Sequence, residues 1–222
     1  MPRPDRLVVV VATATEVGKT WTTAAVARGL REEGVSVAAR KPVQSFEPTD
    51  PVDGRDASLL AAATGEPAEQ VCPPHRDYEV AMAPPMAAAA LGRPPILLDD
   101  LVDELTWPEP AQVGFVEAVG GLCSPMAEDG DGLALIERLD PDLVLAVAPA
   151  GLGVVNDVRL LARALGDRPL VVVLNRYDEA DDLHRANRAW LAERDDLDVV
   201  TGVDELVTRL ARPTGAERAT GG

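Results

Sequence analysis

The chain alternates between short apolar runs and longer amphipathic stretches. Runs rich in valine and leucine predict strands at 7–12, 35–40, 112–117, 142–148, 169–175 and 197–201. Several of these are apolar throughout, as strands buried on both faces are. Between them, helical periodicity predicts helices at 19–33, 55–64, 86–91, 97–105, 131–139, 155–165, 181–193 and 203–211. Strand–helix alternation of this kind builds an α/β fold: one doubly wound, mostly parallel sheet with helices on both faces. Proline-rich segments at 42–54 and 72–86 interrupt the pattern and read as long loops, which are often functional. No repeat or linker divides residues 1–212, which are expected to form a single domain. The Gly/Ala/Thr-rich stretch 213–222 is expected to be a disordered tail.

One junction in this pattern carries chemistry. The strand at 7–12 runs into Thr13-Ala14-Thr15-Glu16-Val17-Gly18-Lys19-Thr20 and then directly into a helix. Strand, tight loop, Gly-Lys-Thr and helix form the arrangement that holds a nucleoside triphosphate. Backbone N–H groups and the helix N-terminus face the phosphates, Lys19 adds a point charge, and the Thr20 hydroxyl can ligate Mg²⁺. The strict pattern G-x-x-x-x-G-K-[ST] is not met, because Thr13 stands at its first position and Ala12 precedes it.

Composition sharpens this reading. Lys+Arg 21 against Asp+Glu 37 gives a net charge of −16, which disfavours nucleic acid and anionic membranes as partners. An acidic protein that holds a polyanion needs local positive charge, and the only two lysines are Lys19 and Lys41. Lys41 follows the strand at 35–40, on the side where open α/β sheets bind ligands. The five apolar residues after the N-terminal Met-Pro-Arg-Pro-Asp-Arg make neither a signal peptide nor a membrane span, and two isolated cysteines suit a cytoplasmic protein. Asp56 opens a helix and either caps it or faces the phosphate loop. The strand at 112–117 ends in Glu117, followed by Gly120-Gly121, so its carboxylate can reach a metal ion at the loop while the glycines leave N–H groups open.

Together these segments resemble the dethiobiotin synthetase family. The matches are Thr15-Glu16-Val17-Gly18-Lys19-Thr20, Lys41-Pro42-Val43-x-Ser45, Asp56-Ala57, Ala83-Pro84-Pro85-Met86-Ala87-Ala88, Glu117-x-x-Gly120-Gly121 and Leu152-Gly153-x-x-Asn156, in family order over residues 7 to about 178. The resemblance implies a P-loop NTPase-type fold and an ATP-dependent cyclo-ligase of biotin synthesis. It further implies Mg²⁺, ATP as co-substrate, 7,8-diaminononanoate and CO₂ as substrates, and a homodimer with the substrate across its interface.

By the same resemblance, Lys19 and Lys41 balance carbamate and phosphate charge, and Thr20, Asp56 and Glu117 are the metal ligands. Residues 15–20 and Asn175 bind the nucleotide, Asn175 through its base. Thr15, Ser45, Gly120, Gly121, Gly153, Val154 and Asn156 fall at substrate positions, the last three on the partner subunit's segment. Ala12, Phe46, Ala118-Val119 and Gly151 depart from the family pattern, and Phe46 and Ala118 are expected to narrow or displace the substrate pocket. Asn175-Arg176-Tyr177-Asp178 also looks like the Asn-Lys-x-Asp of guanine-specific GTPases, leaving base preference open. Two other readings share this fold. One is a nucleotide-binding relative without the diamine site. The other is a positioning ATPase of the Min/Par type, whose extra early loop lysine Thr13-Ala14-Thr15 lacks.

Overall fold

The computed structural model describes residues 3–212. In chain order the strands are β1 (Arg6–Ala12), β2 (Val37–Arg40), β3 (Gln44–Ser45), β4 (Asp77–Tyr78), β5 (Val113–Glu117), β6 (Pro125–Ala127), β7 (Gly130–Asp131), β8 (Leu143–Pro149), β9 (Leu170–Asn175) and β10 (Asp198–Val200). The helices are α1 (Lys19–Glu32), α2 (Asp56–Thr64), α3 (Ala68–Val71), α4 (Pro84–Ala90), α5 (Leu98–Asp103), α6 (Gly132–Leu139), α7 (Val154–Leu165), α8 (Asp182–Ala189) and α9 (Val203–Leu210). Six strands form one all-parallel sheet in the order β2-β5-β1-β8-β9-β10. Every strand and helix expected from the sequence is present.

Strand β1 explains why both faces must be covered. Its alternate residues point opposite ways, with Val8, Val10 and Ala12 packing with Leu30 of α1 and Leu60 of α2. Leu7, Val9 and Val11 pack instead with Ala87, Leu101, Ile136 and Leu161, which stand on α4, α5, α6 and α7. A polar residue at any of these positions would be buried, hence the unbroken apolar run.

The structure adds what the pattern is too short to carry. Within the two proline-rich segments, β3 and β4 form a parallel ladder of two residues each, and β6 and β7 form a small antiparallel pair. Helix α4 also begins at Pro84 rather than 86, since a proline in the first turn has no N–H to leave unsatisfied. The predicted tail, 213–222, lies outside the described residues. Among the described residues no helix is long and apolar enough to cross a membrane. Cys72 is buried and Cys123 exposed, and both are free.

Gly114 shows how tightly β5 is fitted. A Cβ there would lie 2.4 Å from Pro4 Cγ and 2.6 Å from Trp107 Cζ3. Replacing it with alanine should therefore cost about 1–3 kcal/mol by overpacking. Urea unfolding of Gly114→Ala checks this, with a lower midpoint and unchanged slope expected.

Candidate active site

The carboxyl ends of β1, β2, β5, β8 and β9 and the start of α1 bring the marked residues to one edge of the sheet. The loop from Thr13 to Gly18 connects β1 to α1. It is anchored by Thr13 N–H donating to Val147 O at 3.1 Å and by Leu122 N–H donating to Ala12 O at 2.9 Å. Ala12 ends β1, fully buried and without a positive φ, so no glycine is required there. Gly18 is different. Its φ is +98°, and a Cβ would lie 2.1 Å from Asn175 Nδ2. Glu16 also holds a positive φ of 60°, a conformation that costs a non-glycine residue free energy.

A compact polar cluster lies beneath this loop. Glu117 is 0% exposed, and a buried carboxylate needs partners on both oxygens. Oε1 accepts from Thr20 Oγ1 at 2.7 Å and from Lys41 Nζ at 2.9 Å. Oε2 accepts from Thr23 Oγ1 at 3.0 Å. Lys41 Nζ is also paired with Asp56 Oδ2 at 2.7 Å and donates to Ala118 O at 3.2 Å. Asp56 Oδ1 lies 2.7 Å from Thr20 Oγ1. Asp56 is thus the first residue of α2, not its cap. The cap position is Arg55, and the Asp56 carboxylate is turned toward Thr20 and Lys41.

Charge states follow from these contacts. Burial alone would lower the Lys41 ammonium, but Asp56 and Glu117 raise it above the ordinary lysine range. Burial likewise opposes ionisation of Asp56, yet the Lys41 charge and hydrogen bonds from Lys41 and Thr20 hold its carboxyl down to about 2. Lys19 has no such partner. Its Nζ donates to Gly120 O at 2.8 Å, and burial, with the repulsion of Lys41, lowers it to about 8.

Thr20, Asp56 and Glu117 present three hard oxygen donors around one point. The Thr20 hydroxyl has one proton, yet sits within 2.7 Å of two carboxylate oxygens, so one of these close approaches lacks a hydrogen. A hydroxyl and two carboxylates suit Mg²⁺, which takes its other ligands from phosphate oxygens and water.

Around this cluster the remaining marked residues separate. Gly120 takes a φ of +58°, and its Cα faces Ser124 Oγ and Thr15 Oγ1 closely enough that a Cβ would lie 2.3 and 3.6 Å from them. Gly121 packs against the phosphate loop and donates its N–H to Ser124 Oγ at 2.9 Å. Ser45, in β3, donates to Met82 O at 2.5 Å. Gly153, Val154 and Asn156 do not join the cluster in this chain. They open α7, where the Asn156 side chain donates to the neighbouring Asp157, Val154 is buried in the core and Leu152 is 91% exposed.

Phe46 and Ala118, which depart from the family pattern, are both packed inside the fold. The Phe46 ring is buried under the Arg55 guanidinium, 3.6 Å away. The Ala118 methyl points toward the start of α6, 3.6 Å from where a Cβ on Gly132 would stand.

A cavity of ≈610 Å³ opens behind the loop, within the size range of small-ligand sites. Gly18, Trp21 and Thr22 form one wall, and Asn175, Tyr177 and Gly202 belong to the other. Asn175 Nδ2 donates to Val17 O at 2.9 Å, leaving its side-chain oxygen without a partner among the described residues. Asp178 does not line this cavity. Its carboxylate accepts from Ala180 N–H at 2.8 Å in a local turn. Thr23, Trp21 and Thr22 are participants that sequence reasoning missed. Thr23 alone left a signal, standing three residues after Thr20 on the same helix face.

A family model described as an AAA domain matches residues 6–211. The ATP-dependent dethiobiotin synthetase BioD of Streptomyces avermitilis is 37% identical over 218 residues, covering 95% of this chain and 84% of that protein. The protein of the same name from Rhodococcus jostii is 34% identical over 204 residues, with 89% and 83% covered. That from Anaeromyxobacter dehalogenans is 33% identical over 216 residues, with 93% and 94% covered. Among solved structures, the signal recognition particle receptor FtsY from Elizabethkingia anophelis aligns with a TM-score of 0.53 at 13% identity, over 95% of this chain and 67% of that one. That likeness is one of fold. Taken with the ordered motifs and the cluster they form, these relatives show that the chain belongs to the dethiobiotin synthetase family.

Proposed function

We propose that this protein closes the ureido ring of dethiobiotin from 7,8-diaminononanoate, CO₂ and ATP. The observation that carries the reading is the convergence of Thr20, Lys41, Asp56 and Glu117 into one hydrogen-bonded cluster, with Lys19 beside it on the Gly120 carbonyl. One amine of the substrate takes up CO₂ and loses a proton to give a carbamate, whose oxygen attacks the γ-phosphorus of ATP, breaking its bond to the bridging oxygen so that ADP leaves and a carbamic–phosphoric anhydride forms. The second amine then attacks the carbonyl carbon and expels phosphate.

Carbamate and triphosphate repel each other, so this reaction depends on holding anions in line more than on acid–base catalysis. Lys19 lies against the loop that cradles the phosphates, and Lys41 is kept cationic by its carboxylate partners. Thr20, Asp56 and Glu117 would hold Mg²⁺, which neutralises phosphate charge and draws electrons from the γ-phosphoryl group. Thr15, Ser45, Gly120 and Gly121 belong to the substrate side in this reading, although the Gly121 N–H expected to be open is taken by Ser124 Oγ. The exposed Leu152, Gly153 and Asn156 at the start of α7 support a homodimer in which this segment completes the partner's substrate site, with Val154 turned into the core as its anchor. Asn175 reads the base through its free oxygen, which suits an exocyclic amine. Two free thiols and a strongly acidic surface fit a cytoplasmic enzyme. Phosphate release measured with ATP, Mg²⁺, bicarbonate and 7,8-diaminononanoate, omitting each in turn, tests the whole reading. Release that ignores the diamine overturns it.

The low pKa of Lys19 has a thermodynamic sign. Between pH 8 and 10.5 the folded chain binds fewer protons at Lys19 than the unfolded one, so this residue opposes folding below that window and its penalty fades as pH rises. A bound triphosphate pulls the pKa back up. At pH 8, ATP binding should therefore take up a fraction of a proton, seen by calorimetry in buffers of different ionisation enthalpy, and Lys19→Met should abolish the uptake.

Lys41 behaves oppositely. Its removal leaves the buried Glu117 carboxylate short of a cation, so Lys41→Met should cost about 3–5 kcal/mol at neutral pH as well as suppress turnover. Millimolar Mg²⁺ should restore part of that stability in Lys41→Met and little in the Lys41→Met, Glu117→Gln double variant, as read by thermal unfolding. In the wild-type background Asp56→Asn should raise the Mg²⁺ concentration needed for activity, leave the fold intact and lower the unfolding midpoint less than Lys41→Met does, since its carboxylate is partly exposed yet pairs with the buried Lys41.

A further inference from the structure

Trp21 is the second residue after the phosphate-loop lysine, on the first turn of α1. It is 58% exposed, although burying a tryptophan is worth more than burying almost any other side chain. Here it forms the rim of the ≈610 Å³ cavity that opens beside Gly18 and runs to Asn175, Tyr177 and Gly202. The next residue, Thr22, lines the same cavity and is 1% exposed. Its Oγ1 is buried with no hydrogen-bond partner among the described residues. A helical threonine normally returns its hydroxyl to the carbonyl one turn back, as Thr208 does to Asp204 O at 2.9 Å. An unpaired buried hydroxyl costs free energy unless a ligand completes it.

We propose that Trp21 is the nucleobase-stacking residue of this site, with the Thr22 hydroxyl bonding the nucleoside beneath it. The inference rests on the nucleotide-binding reading given above and adds to it how the nucleoside half is held. An indole face is large, flat and indifferent to the pattern of donors and acceptors on a base edge. Affinity at this cavity is therefore set first by stacking area, purines above pyrimidines, and only secondarily by the single free acceptor of Asn175. Asp178, engaged in its own turn, contributes no guanine selection.

The test compares ATP, CTP and inorganic tripolyphosphate, each with Mg²⁺, on the wild-type protein, Trp21→Ala, Trp21→Phe and Thr22→Val. Trp21→Ala should weaken ATP about 10- to 100-fold, the range of one base–aromatic stack, and leave tripolyphosphate unchanged. Trp21→Phe should keep most of the ATP affinity while losing the ATP-induced change in intrinsic fluorescence, because Trp107 and Trp190 lie away from the cavity lining. Thr22→Val should weaken ATP by a smaller factor and again spare tripolyphosphate. Since Trp21 is exposed, its variants should unfold at the wild-type temperature. Equal ATP affinity in wild type and Trp21→Ala, with ATP still bound, overturns the stacking role alone. A parallel loss of ATP and tripolyphosphate overturns it too, by making Trp21 part of the phosphate loop's support. Absence of ATP binding to the wild-type protein overturns the nucleotide reading and this one with it.

Discussion

Glu117 is the constraint on which the rest of the site depends. Its carboxylate lies at the end of a central strand with no access to water, and a charge in that position is tolerable only when every lone pair is answered. The answers come from three side chains on two segments: Thr20 and Thr23 on α1, and Lys41 beyond β2. Each partner is thereby fixed relative to β5 and hence to the phosphate loop, which hangs from the adjacent β1. Asp56 is then drawn in by Lys41. Few catalytic parts in this protein are free to sit elsewhere once that one strand end carries a carboxylate.

The two lysines show how an acidic chain can hold polyanions. Both are almost fully buried, so neither offsets the −16 net charge at the surface. They differ in what surrounds them. Lys41 is bonded to carboxylates that keep it charged, whereas Lys19 bonds a carbonyl and feels the same carboxylates too weakly to offset its burial and the repulsion of Lys41. One is tied into the carboxylate cluster, and the other stands beside it with its charged form less favoured.

Much of this was legible in the sequence because the physics is local. The valine runs announce doubly buried strands, and Gly18-Lys19-Thr20 after such a run announces the loop. Lys41 and Glu117 stand out as a rare cation and a strand-end carboxylate. What resisted reading is decided by tertiary contacts. Asp56 at a helix start cannot be told from a cap until Thr20 is seen beside it. Phe46 and Ala118 look obstructive where glycines are expected, but side-chain direction, which spacing does not give, turns both into packing. The ladders of β3–β4 and β6–β7 are too short to carry a period. Trp21-Thr22-Thr23 reads simply as helix, although its three side chains serve three different surroundings.

That last stretch bears on how such an enzyme can diverge. From Gly18 to Thr23, six consecutive residues of one loop–helix junction are each committed: to Asn175, to Gly120, to the paired carboxylates, to the cavity rim, to its interior and to Glu117. A substitution that improves one commitment on this turn risks shifting the register of the others. The opposite wall hangs on the segments after β9 and β10, and the Thr201–Val203 part of it shares no hydrogen bond with the lysine–carboxylate cluster. A change on that wall reshapes the cavity while leaving every hydrogen bond of the lysine–carboxylate cluster in place.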